Sequence, residues 1–139
     1  MEKIIAVAGR TGLFEIQTQT RVGVIAHSLV DGKRIVTQST DQISVLSDIQ
    51  IYTYSGEVPL GEVLLKIGEK ELSGVAMVSP KADQDTLKSF FQEVIPDYDL
   101  ERVYASDIKK IIQWYLLLKD KERLQIPVNK AIQSSENND

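Results

Sequence analysis

The first third of the chain alternates apolar and polar positions with a period of two, which is typical of half-buried β-strands. Phe14 and Ile16, for example, alternate with Glu15 and Gln17. Runs rich in β-branched residues follow, separated by short polar segments. The pattern predicts four or five short strands, at residues 13–19, 24–30 and 33–37, and at one or both of 43–46 and 49–54.

The pair Asp31-Gly32 separates two of the apolar runs and predicts a tight hairpin turn. Both turn positions of a type I′ hairpin need positive φ, and Asp-Gly supplies it readily. A two-residue turn at this point would place Leu29 opposite Arg34 and His27 opposite Val36.

Short, tightly connected strands hide their edges best by curling. We therefore expect residues 1–55 to form a small SH3-like β barrel.

The period changes after residue 55, where apolar residues recur at helical spacing. Asp83 is a good N-cap for a second helix, and Ser106 is expected to cap a third. The predicted fold is α+β, with a barrel at residues 1–55, a three-helix segment at 56–122 and a flexible polar tail at 123–139. The apolar faces predicted for the three helices are Leu60, Val63, Leu64 and Ile67; Leu87, Phe90, Phe91, Val94 and Ile95; and Ile108, Ile111, Ile112, Tyr115 and Leu116.

Composition removes several kinds of chemistry. The 139 residues include no cysteine, which excludes disulfides, thiolate nucleophiles and cysteine-rich zinc sites. No apolar run approaches the roughly 18 to 20 residues that span a bilayer. We therefore expect a cytoplasmic protein without a membrane partner.

Three motifs that could suggest a site have simpler interpretations. His27 is the only histidine and has no identifiable nucleophile beside it, so an edge or surface histidine is expected. Gly9 and Gly12 lack the spacing of a phosphate-binding loop and predict a turn. The acidic cluster from Asp97 to Glu101 lacks the glycine and distal glutamate of a calcium loop. No catalytic residue, metal site or cofactor is expected.

Four basic residues, Arg10, Arg21, Lys33 and Arg34, lie near predicted turns of the β part. Small barrels bind single-stranded nucleic acid through cationic grooves with aromatic residues. The net charge of −4 weakens this interpretation, since nucleic-acid binders need a positive face.

Trp114 lies off the apolar stripe of the third predicted helix. A lone tryptophan by default packs in a core or a junction, and the alternative is an exposed patch that contacts another chain. The second and third predicted helices also have wide apolar faces, more than a small barrel is expected to cover, which favours self-association or a protein partner.

Several segments resemble a family of small bacterial proteins of unknown function. The resemblance implies an N-terminal SH3-like barrel and a helical C-terminal part over about the first 120 residues, and it implies no activity. Its segments are residues 9–14, 19–23, 28–29, 31–34, 51–53 and 56–60, and the most specific are 96–99, 102–104 and 106–110.

The sequence thus predicts a non-enzymatic module for protein interaction or self-association. The alternative is an RNA-binding accessory protein that uses the basic turns of the barrel. The expected partner-binding residues are Arg10, Arg21, Lys33, Arg34 and Trp114.

Overall fold

A computed structural model describes residues 3–124 of the chain. Within these residues a β-rich half precedes three helices. The predicted tail at 123–139 lies mostly outside the described residues. The strands are β1 (Ile4–Val7), β2 (Phe14–Gln19), β3 (Val24–Ser28), β4 (Arg34–Val36), β5 (Ile43–Val45), β6 (Gln50–Thr53) and β7 (Gly56–Pro59), and the helices are α1 (Leu60–Leu72), α2 (Gln84–Val94) and α3 (Ala105–Asp120).

The first five strands form one antiparallel sheet in the order β4-β3-β2-β1-β5. Four strands therefore follow each other as a meander, and β5 returns to pair with β1. The pairing of β2 with β3 shifts register between Ile16 and Thr18, and such an irregularity increases the local twist. Pairing between β4 and β5, which would close a barrel, is absent among the described residues.

The hairpin of β3 and β4 corrects the predicted register. His27 pairs with Arg34 instead of Val36, so Asp31-Gly32 lies within a longer loop. The Ser28 hydroxyl accepts the backbone N–H of Val30 at 3.0 Å and stabilises that loop. Leu29 leaves the ladder because its side chain is buried in the main core.

Strands β6 and β7 form a second, two-stranded sheet in which Thr53 pairs with Gly56. The hairpin therefore spans residues 55 and 56, between which the sequence predicted a domain boundary. Beyond it, the segment after α2 adds an isolated antiparallel bridge from Tyr98 to Thr53.

The three helices lie where the apolar spacing predicts them. Asp83 caps α2 as expected, since its carboxylate accepts the backbone N–H of Thr86 at 2.8 Å. The predicted cap of α3 is wrong. Helix α3 starts at Ala105, and Asp107 in its first turn accepts the backbone N–H of Tyr104 at 2.9 Å. Ser106 lies inside the helix.

Two apolar clusters lie in the described chain. The main one joins residues of the sheet, such as Ile4 and Leu13, to β6 and all three helices. The smaller one consists of sheet residues alone, with Ile5 and Ala26 fully buried. The predicted α+β class and its three helices are therefore confirmed. The five-stranded sheet is open among the described residues, so the predicted barrel is not seen as a closed one.

Helices of the length and apolarity needed to cross a bilayer do not occur in the described part of the chain.

Candidate functional site: a groove between β6 and α3

A groove of about 230 Å³ separates β6 from the first three turns of α3. We call it the β6–α3 groove. Its lining combines apolar, aromatic and charged side chains from three parts of the chain. The lining residues are Ile49, Gln50, Ile51, Tyr52, Arg102, Val103, Asp107, Lys110, Ile111 and Trp114.

One end of the groove is formed by a stacked pair. The guanidinium carbon of Arg102 lies 3.8 Å from the centre of the Tyr52 ring. A cation over an aromatic face at this distance gains about 0.5–1 kcal/mol at an exposed site. The stack therefore restrains an otherwise exposed arginine beside β6.

Helix α3 forms the opposite wall, because Asp107, Lys110, Ile111 and Trp114 follow one another at helical spacing on one face. Ile111 is buried at the base. Trp114 is half-buried, since it packs against the main core and also lines the groove. Its packing against the main core agrees with the junction role that a lone tryptophan has by default.

The groove carries two cations that lack ion-pair partners. Within residues 3–124, no carboxylate lies within 4.0 Å of the charged nitrogens of Arg102 or Lys110. The one acidic residue in the lining, Asp107, binds the backbone N–H of Tyr104. The protein as a whole carries a net charge of −4. Arg102, Lys110 and Asp107 together give the lining a formal net charge of +1, so the groove is an anion-attracting surface on an acidic protein.

The four basic residues predicted from the β part do not share one surface. Arg10 and Lys33 line a single cavity near the β3–β4 loop, together with Asp31. Arg34 follows Lys33 directly and pairs with His27 in the ladder. Arg21 lies in the β2–β3 turn, at the other end of β3 from Lys33. Of the five predicted residues, Trp114 alone lines the β6–α3 groove.

The carboxyl groups with shifted pKa lie away from the groove. The Arg123 guanidinium donates to Glu15 at 2.7 Å and lowers the pKa of that carboxyl. Lys119 donates to Glu71 at 2.7 Å and, together with the Tyr115 hydroxyl, lowers the Glu71 pKa. Glu71 thus connects α1 to α3, and Glu15 connects β2 to the segment that follows α3.

His27 and the acidic cluster from Asp97 to Glu101 both take part in local structure. His27 is half-buried on an interior strand, with its Nε2 3.4 Å from Glu15, and so differs from the expected edge residue. The Asp99 carboxylate accepts the backbone N–H of Glu101 at 2.9 Å, a turn role. Clusters of three potential metal ligands are absent from the described residues.

Sequence reasoning missed Arg102 and Lys110 as site residues and did not assign a role to Tyr52. The spacing of Lys110 and Trp114, four residues apart on one helix, was the available signal. The stack of Arg102 on Tyr52 joins residues fifty positions apart, and no local pattern reveals such a contact.

Comparisons with known proteins find families without an assigned function. A family described as a domain of unknown function, DUF6852, matches residues 49–118, and another, DUF5606, matches residues 1–46. The fold is similar to that of a solution NMR structure of a protein from Bacteroides vulgatus, with 36% sequence identity and a TM-score of 0.74 over 91% of both chains. No curated protein matches the chain significantly. The β6–α3 groove lies wholly within the DUF6852 match.

Proposed function

The chain belongs to the DUF6852 family, and from its groove we propose that it is a non-enzymatic interaction module that binds an acidic segment of a protein partner. One observation carries the proposal: Arg102 and Lys110, which form no ion pair with any of residues 3–124, flank an aromatic and apolar cavity on a protein that is acidic overall.

Charge complementarity favours an acidic occupant. Arg102 and Lys110 attract carboxylates, and these two cations outnumber the one carboxylate of the lining, Asp107. Exposed charge pairs contribute modestly to affinity, but they speed association and select partners. Binding should therefore weaken as ionic strength rises.

The size of the groove favours a side chain over a cofactor. Pockets that hold drug-sized ligands measure roughly 300–1,000 Å³, and this groove measures about 230 Å³. A single large apolar side chain of the partner, placed against Trp114 and Val103, suits this space.

The lining has the composition of a binding hot spot. Trp, Tyr and Arg are the residue types most enriched among those that dominate binding energy, and Trp114, Tyr52 and Arg102 supply one of each. Trp114 is held against the main core, so little conformational entropy is lost when a partner covers it.

The non-enzymatic part of the proposal rests on how the groove's polar groups are used. A general acid or base needs a reacting group within hydrogen-bond reach. Beside its two cations the groove offers Asp107, Gln50 and Tyr52. Asp107 is engaged by the Tyr104 backbone, and Tyr52 stacks under Arg102. The groups with shifted pKa are committed elsewhere, as Glu71 is to Tyr115.

For the β half we propose an SH3-like barrel as the architecture. Ile5 and Ala26 are fully buried. Among the described residues, the apolar cluster that contains them consists of sheet residues alone. A single flat sheet leaves one face open, so burial by the sheet's own strands favours a curled one. The lack of cysteine suits the reducing cytoplasm, which we propose as the location.

The test is a selection of random ten-residue peptides displayed on phage against the purified protein. We expect enriched peptides to carry several acidic residues around one large apolar residue. Each enriched clone is then tested on Lys110→Glu and on the matched control Lys109→Glu, which changes an exposed residue of the same helix outside the groove.

Peptides that bind the Lys109→Glu protein but no longer bind the Lys110→Glu protein support the β6–α3 groove as the binding site. The proposal is overturned by a selection without enrichment, by basic or charge-free peptides, or by equal binding to both variants. Dimerisation that Lys110→Glu abolishes would also overturn it, since a second copy would then be the occupant.

A further inference from the structure

The edge of β6 that faces away from β7 carries free backbone groups. Ile49 accepts the Leu60 N–H at 2.9 Å, so its carbonyl points toward the β7 side. In an antiparallel ladder the direction alternates from residue to residue. Gln50 and Tyr52 therefore direct their backbone N–H and C=O groups to the opposite edge.

Part of that edge is already paired. The Tyr52 carbonyl accepts the Asp99 N–H at 3.0 Å, and the Tyr54 N–H donates to the Asp97 carbonyl at 2.9 Å. The segment at 97–99 therefore continues the sheet beside the end of β6. These two bonds confirm independently that Tyr52 faces this edge.

The remaining part of the edge is open. Among residues 3–124, no group bonds the N–H or C=O of Gln50 or the N–H of Tyr52. Residues 49–52 all line the β6–α3 groove, as expected where a strand edge forms one wall. Unpaired strand edges are templates for another extended chain.

We propose that the partner segment binds as an added β-strand along the open edge of β6 and inserts one large apolar side chain into the β6–α3 groove. This inference rests on the proposed function and specifies its geometry. The backbone groups of Gln50 and Tyr52 supply the affinity that is independent of partner sequence.

Strand geometry then separates the roles of alternate partner residues. Successive side chains of a strand point to opposite faces. One set is directed toward the groove interior, where Trp114 and Val103 lie, and the other toward the rim. The partner motif should therefore repeat with a period of two, whereas a helix docked in the groove would give a spacing of three and four.

The first test is a scan of N-methylated backbones in one acidic peptide recovered by the phage selection. N-methylation removes a single backbone donor without changing the side chain. Strand addition predicts a loss of about tenfold or more at alternate positions and little change between them. Uniform effects, or effects at helical spacing, would overturn the inference.

The second test changes the protein. Gln50→Pro removes the outward N–H without removing a β6–β7 bond, and Ile49 already has φ −79° and ψ 134°, which suits a residue before proline. The control Gln50→Ala keeps the N–H. We expect the same peptide to bind Gln50→Pro at least about tenfold more weakly than Gln50→Ala, because both variants lack the Gln50 side chain and only Gln50→Ala keeps the backbone N–H.

The two proposals fail in distinguishable ways. Lack of any acidic peptide that depends on Lys110 overturns both. Peptides that depend on Lys110, yet tolerate every N-methylation and bind Gln50→Pro like Gln50→Ala, overturn strand addition alone. If Gln50→Pro fails to show the wild-type circular dichroism spectrum, the N-methyl scan decides by itself.

Discussion

Glu71 is the side chain that joins the ends of α1 and α3. Its carboxylate accepts the Tyr115 hydroxyl at 2.6 Å and the Lys119 ammonium at 2.7 Å. Tyr115 is almost fully buried, so its hydroxyl depends on this acceptor. Burial and the bond to Glu71 raise the Tyr115 pKa, while Lys119 lowers that of Glu71.

A pH titration of stability tests this arrangement. Because the folded Glu71 pKa is lowered, its contribution is present above the unfolded value of about 4.3 and is lost as pH falls through the folded value. Glu71→Gln should cost about 1 kcal/mol at pH 7 and progressively less below pH 4. Urea unfolding at several pH values measures the difference.

The neighbouring Glu69→Gln is the control, since Glu69 is exposed on the same helix. It should change the free energy of unfolding by less than about 0.5 kcal/mol. A gap between wild type and Glu71→Gln that is unchanged from pH 7 to pH 3 would contradict the account.

At the scale of elements, the helices could be predicted closely and the strand pairings less so. The apolar face of α1 is buried as expected, because burial of a stripe at helical spacing depends mainly on sequence. On α3, Leu118 is buried in place of the predicted Leu116. The sequence does not predict β7, because this strand has only four residues, most of them exposed, and so lacks an alternating apolar pattern.

The other differences between the predicted and the observed structure lie in a turn and a helix cap, and each depends on one side-chain hydrogen bond. The Asp31-Gly32 pair predicts a two-residue turn, but the Ser28 hydroxyl stabilises a longer loop. Ser106 and Asp107 both suit a helix start, and only the fold shows that Asp107 reaches the Tyr104 N–H. Such choices differ by about 1 kcal/mol, too little for sequence alone to decide.

The β2–β3 turn provides a prediction at this scale. A Cβ at Gly23 would overlap the carbonyl oxygen of Thr37. Thr37 is buried and held in place, since its hydroxyl accepts the Val24 N–H at 2.9 Å and its own N–H donates to the Val24 carbonyl at 2.9 Å. Gly23→Ala should therefore destabilise the protein by about 1–3 kcal/mol. Thermal unfolding measures this.

A matched glycine makes the result specific. Gly61 is exposed within α1, where alanine is the better helix former, so Gly61→Ala should raise stability by up to about 1 kcal/mol. A Gly23→Ala protein as stable as wild type would show that the close contact with Thr37 relaxes at no cost.

At the scale of the whole molecule, one main core joins the two halves. Ile4, Leu13 and Leu29 of the β half belong to the same apolar cluster as the helices. The two family matches meet between residues 46 and 49, and residues of both matches therefore share one hydrophobic core. The groove nevertheless lies entirely in the second half, where α1 contacts both α3 and β6 and so sets the distance between them.

The site could be predicted from sequence only in part for the same reason. Trp114 attracts notice as the single tryptophan. Its neighbours in the groove come from β6 and from the segment that precedes α3, and only the fold brings them together. The four basic residues of the β half share a sequence neighbourhood, but the alternation of strand faces and the length of β3 separate them.

The most direct measurement of the central claim is the affinity of one selected acidic peptide, followed by tryptophan emission. Trp114 is the only tryptophan, so any change reports the β6–α3 groove. We predict that Lys110→Glu weakens binding by about tenfold or more and that Lys109→Glu changes it by less than about twofold. Equal affinities for the two variants, or binding without a change in Trp114 emission, would contradict the account.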